Sequence, residues 1–60
     1  MYEVETRNRP DGSIAYAVLH HPDTDQYDVS VYGEPGEGPV SFSPMFGTLE
    51  EAQAWAKEGE

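Results

Sequence analysis

The sequence predicts an α+β domain: a three-stranded antiparallel meander packed by one C-terminal helix, with room for a short fourth edge strand. Two patterns lead there. Apolar and polar residues alternate with period two in runs separated by turn formers, the signature of half-buried antiparallel strands. A threonine followed three residues later by a glutamate then opens an apolar stripe of helical period.

The first strand covers residues 2 to 8, where Tyr2, Val4 and Thr6 alternate with Glu3, Glu5 and Arg7. Arg9-Pro10-Asp11-Gly12-Ser13 follows, with a proline suited to the start of a turn and a glycine suited to positive φ, so a hairpin is expected there. From Ile14 to His21 both parities are apolar: Ile14, Tyr16 and Val18 on one, Ala15, Ala17 and Leu19 on the other. A strand apolar on both faces belongs in the middle of a sheet. The turn formers Pro22, Asp23, Thr24 and Asp25 end it, and Tyr27, Val29 and Val31 then alternate with Asp28, Ser30 and Tyr32 as a third strand.

Residues 33 to 39, Gly-Glu-Pro-Gly-Glu-Gly-Pro, offer nothing to anchor a core and are expected to form a flexible loop. Val40, Phe42, Met45 and Phe46 are expected to re-enter the core, the first two as a short edge strand ended by Pro44. Thr48 with Glu51 forms a capping box. Leu49, Ala52, Trp55 and Ala56 fall on one helical stripe, and Gly59 is expected to end the helix. Trp55, the largest side chain of the stripe, is the expected anchor of helix to sheet, over a face bearing Tyr2, Val4, Ile14, Tyr16, Val18, Tyr27, Val29 and Val31.

All 60 residues are read as one domain, and a chain this short buries only about 60% of the surface it exposes when unfolded. Its thin core lowers the expectation of an enclosed substrate pocket. There is no cysteine, so neither a disulfide framework nor a thiolate zinc site is available. The opening residues do not read as a signal peptide, no apolar run is long enough for a membrane span, and the expected location is cytoplasmic. Twelve carboxylates face three cations, Arg7, Arg9 and Lys57, for a formal net charge of −9 with neutral histidines. Such a field repels nucleic acid and anionic membranes and steers basic protein surfaces toward the molecule. Solubility or a high-salt habitat is the alternative reason for the same charge.

No catalytic constellation emerges. His20, His21, Asp23 and Asp25 lie within six residues, but adjacent histidines on a strand point to opposite faces and cannot both ligate one metal. Counted from Asp23, a calcium loop would need glycine at its sixth position, where Asp28 stands. No glycine elbow marks Ser13, Ser30, Ser41 or Ser43 as an activated nucleophile. The glycine-rich 33 to 38 stretch carries two glutamates and no lysine, unlike a phosphate-binding loop. The chain is therefore expected to be non-enzymatic, with no catalytic residue, no metal and no cofactor.

One face does suggest a use. Opposite the helix, Ala15, Ala17 and Leu19 of the central strand are expected between Glu3 and Glu5 on one side and Asp28, Ser30 and Tyr32 on the other. A small apolar centre with an acidic rim suits docking to a basic protein surface, or to a second copy of the chain. The competing expectation is that the long loop folds back and covers this face with Phe42 or Met45.

The segment Phe46-Gly47-Thr48-Leu49-Glu50-Glu51-Ala52-Gln53-Ala54-Trp55, following three strands, resembles the small DNA-binding domains that open the tyrosine integrases. In that family the sheet enters the major groove with basic and polar side chains. Here the strands carry carboxylates, which disfavours duplex binding, and no binding residue is carried over. The expected function is that of an acidic interaction module, such as a viral or prokaryotic regulator or inhibitor that imitates nucleic-acid charge. A homodimeric domain with incidental acidity is the alternative.

Overall fold

The computed structural model describes residues 2 to 58. Four strands, β1 (Tyr2–Asn8), β2 (Ile14–His21), β3 (Gln26–Tyr32) and β4 (Pro39–Phe42), precede the helix α1 (Leu49–Glu58). They form one antiparallel sheet in the order β1-β2-β3-β4, an unbroken meander with the expected central strand inside. The edge strand after the loop is thus a full member of the sheet. Gly59, read above as the helix terminator, lies outside the described residues.

Each connection is explained by its own residues. In the β1–β2 turn Gly12 takes φ +91°, a conformation that costs a side-chain-bearing residue dearly. The Asp11 carboxylate accepts from both the Ser13 amide at 2.9 Å and the Ser13 hydroxyl at 2.6 Å. The Ser13 hydroxyl chiefly, with its amide and Arg9 in support, holds the Asp11 carboxyl below its ordinary 3.8. A folded-state value below the unfolded one stabilises the turn above pH 3.8 and loses that contribution as pH falls through the lowered value. Carbon-detected NMR titration should find the Asp11 midpoint depressed, and Ser13→Ala should return it toward 3.8. An unchanged midpoint in the variant would assign the effect elsewhere.

The 33 to 38 loop has bonds of its own: Glu37 N–H to Glu34 O at 2.9 Å, Gly33 N–H to Gly38 O at 3.2 Å, and Glu34 N–H to the Glu37 carboxylate at 3.0 Å. Arg9 fastens it from outside. Its guanidinium donates to Tyr32 O and to Gly33 O, each at 2.6 Å, tying the first turn to the end of β3.

Thr48 caps α1 by accepting the Glu51 amide at 3.2 Å, and its hydroxyl donates to the Glu51 carboxylate at 3.1 Å. The expected cap is present, with the glutamate engaging the threonine hydroxyl. Glu50 and Glu51 in the first turn and Lys57 in the last also complement the helix dipole.

The core lies between α1 and one sheet face. Tyr16, Val18, Val29, Ala52 and Ala56 are buried together, with Tyr27, Val31, Phe46, Leu49 and Trp55 packed around them. The helix therefore presses alanines onto the sheet, and the sheet supplies the bulk. Trp55, the expected anchor, is only partly buried and flanks the seam, its ring centroid 6.4 Å from that of Phe46. Phe46 reaches that seam by exchanging both backbone hydrogen bonds with Tyr27. Val40, Phe42 and Met45 do not re-enter the core and are exposed. One ten-residue helix covers one face of a four-stranded sheet, so among the described residues no layer remains to bury them.

Candidate functional site: the open sheet face

Strand register decides which side chains share the face turned away from α1. Leu19 stands between Glu3 and Asp28, Ala17 between Thr6 and Ser30, and Ser30 is opposite Phe42 on β4. Tyr32 stands opposite Pro39 at the far end. Among the described residues α1 packs on β2 and β3 from the other side and reaches β1 there through the Gln53 side chain, and no element is in contact with the sheet from this face.

Six of the eight expected face residues are gathered there: Glu3, Ala17, Leu19, Asp28, Ser30 and Tyr32. Glu5 is not. A bulge between Glu3 and Glu5 leaves Val4 without a partner and reverses the parity of the strand, so Glu5 aligns with Val18 on the helix side. There its carboxylate accepts the Gln53 amide of α1 at 2.7 Å. The same reversal carries Arg7 to the helix side, opposite Tyr16, and leaves Thr6 on the open face. Thr6 donates its hydroxyl to the Glu3 carboxylate.

Ala15 departs for a similar reason. The ladder skips it between the Arg7–Tyr16 and Asn8–Ile14 pairs, and it packs against the core cluster. It borders a cleft of about 350 Å³ with Tyr16, Val31 and Ala56.

Two residues missed in the sequence complete the face. Phe42 is 64% exposed, the most exposed large hydrophobic side chain among the described residues, and forms an apolar ridge beside Ser30. It belongs to the face as part of the fourth strand and does not fold over it. His21, two residues beyond Leu19 on the same face, bonds through Nε2 to Asp28 at 2.9 Å. The centre of the face is tightly built: Ala17 is 2% and Ser30 4% exposed, each enclosed by its cross-strand neighbours.

The two histidines take opposite faces, as alternation requires. His20 lies on the helix side, stacked on Tyr27 with centroids 4.6 Å apart and edge-on to Tyr2 at 5.1 Å. Its Nδ1 meets the Tyr2 hydroxyl at 2.8 Å and its Nε2 meets Asp25 at 3.1 Å. Asp25 adopts φ 54°, which turns it back toward the ring. This is a packed aromatic cluster. Among the described residues no three histidine or carboxylate side chains gather as a metal-binding group.

The acid lies at both ends of the open face. Glu3 and Asp28 stand beside Leu19, Asp28 bonded to His21, with Asp23 in the adjoining turn; Asp25 is turned to His20 on the helix side. At the other end Glu34 and Glu37 of the 33 to 38 loop line one cleft with Asp11 and with the cation Arg9. Between the two ends lies an uncharged strip of Ala17, Ser30 and Phe42.

No protein-family model, curated protein or solved structure matches this chain at a significant level. No helix among the described residues is long and apolar enough to cross a membrane.

Proposed function

We propose that the protein is a non-enzymatic interaction module that docks a basic protein surface through its open sheet face and occupies a site otherwise taken by nucleic acid. The observation that carries this reading is the sheet face turned away from α1: exposed Phe42 and partly exposed Leu19 about a closed centre of Ala17 and Ser30, with carboxylates toward both ends, on a chain of net charge −9. Apolar contact in the strip supplies affinity, and the acidic ends supply steering and orientation. Such a module would work as a regulator or inhibitor of the protein that it covers.

The test is the association rate with the basic protein that co-purifies from the native host. Salt shortens the Debye length from ~10 Å at 0.1 M toward ~3 Å at 1 M. Across that range a steered association is expected to slow by at least about tenfold. Duplex DNA or RNA should compete for the partner while the module alone binds neither. A rate that stays flat with salt, or a complex indifferent to nucleic acid, would falsify the charge-mimic reading.

A further inference from the structure

We infer that the occupant of the open face is a basic amphipathic helix of the partner, seated along β2, with large apolar side chains over the strip and lysines or arginines at both ends. This rests on the docking reading above and names the partner's shape. The apolar surface left exposed is the first ground. Ala17 is 2% and Ser30 4% exposed, so the centre of the face is already closed, and what an occupant meets is the partly exposed Leu19 and the exposed Phe42. Two apolar side chains set apart along the face suit the apolar stripe of a helix.

The sheet edges give the second ground, because they are poorly suited to strand addition. Ser43 N–H donates to Val29 O, so alternation along the ladder turns the N–H and C=O of Phe42 toward the open edge of β4. That edge has four residues, begins at Pro39, and is followed by Pro44, which has no N–H to offer. A register shift between Val31 and Tyr32 interrupts the same ladder. On the opposite edge the bulge at Val4 breaks β1. An extended peptide would find few consecutive partners.

Length and charge are the third ground. The eight residues of β2 span about 26 Å, the rise of about 17 residues of helix. The carboxylates lie at the ends of that span, Glu3 and Asp28 at one and Glu34 and Glu37 at the other, where a seated helix would place its termini. Two copies of the chain meeting on this face would instead bring these groups toward one another.

The experiment uses the whole protein, ¹⁵N-labelled, and an 18-residue probe peptide with a leucine stripe and lysines elsewhere. A control peptide has the same composition with two central residues exchanged for proline, which breaks the helix. The helical peptide is expected to bind at least about tenfold tighter than the control, a difference of about 1.4 kcal/mol. Its amide shifts should centre on Ala17, Leu19, Ser30 and Phe42, with a gain in peptide helicity by circular dichroism. Phe42→Ser, at an exposed position that leaves folding intact, should weaken the helical peptide at least about fivefold. Equal binding of both peptides on this face overturns the helix and leaves the docking reading standing. Binding of neither, or shifts centred elsewhere, removes both. A doubled mass of the free protein by light scattering, lost in Phe42→Ser, identifies a second copy as the occupant and overturns the proposal.

Discussion

Glutamate at position 52 is expected to leave the chain unfolded at neutral pH, with Trp55 emission moving to that of an indole in water. Ala52 has no exposed surface and lies in the cluster with Val18 and Val29. An ionised carboxylate forced into that contact is stripped of water among apolar side chains. Leaving a buried charge unpaired costs about 3–5 kcal/mol, and a domain this small rarely holds more than about 3–5 kcal/mol in all. The two are equal in size, so folding fails. Ala54→Glu is the control, two residues along the same helix on its exposed side, and should change stability by less than about 0.5 kcal/mol. Circular dichroism and denaturant titration followed by Trp55 fluorescence would compare them. An Ala52→Glu protein that melts like its parent would show that α1 does not dock through its alanines.

The elements were legible in the sequence because each announces itself locally. Alternation in residues 14 to 21 and 26 to 32, the turn formers between them, and Thr48 with Glu51 all act within a few residues. The parity of β1 was not legible. Tyr2, Val4 and Thr6 alternate as well with a bulge as without one, and what reverses the strand after Val4 is tertiary: Gln53, 48 residues away, holds Glu5 on the helix side. Ala15 left the expected face through a similar break in the ladder.

Hydrophobicity misled in the last third of the chain for a different reason. Val40, Phe42 and Met45 are apolar, and apolar residues are expected inside only where a second layer exists to cover them. With α1 on one face, the described residues hold no second helix for the other. Trp55 misled by its size, since close approach of a helix to a sheet favours alanine at the contact and leaves the larger ring to the flank. The open face was thus legible in outline, from the two-sided apolarity of the central strand, while Phe42 and His21 were visible only with the register of β3, β4 and Asp28 in place.

Arg9→Lys is expected to destabilise the domain nearly as much as Arg9→Ala, by about 2–3 kcal/mol. Hydrogen bonds from a charged donor contribute about 1.5–3 kcal/mol, and carbonyls left without a partner add to the loss. The planar fork of Arg9 places Nη1 on Gly33 O and Nη2 on Tyr32 O, each at 2.6 Å, with Ser13 Oγ at 3.4 Å from Nη1. The carbonyls are 23 and 24 residues away in sequence, so one side chain joins the first turn to the entry of the β3–β4 loop. A lysine ammonium is a compact charge on a flexible stem and does not reproduce two parallel bonds. The effect should be uneven across the fold. Gly33 and Glu34 amides, whose partners lie within the loop, should exchange with solvent faster, and the Phe42 amide should broaden because the loop delivers β4 to the sheet. The α1 amides should change only as far as the global stability does. Urea titrations with Trp55 fluorescence and hydrogen exchange by NMR would read both parts. An Arg9→Lys protein within about 0.5 kcal/mol of its parent would show that charge alone, without the fork, holds the turn to β3.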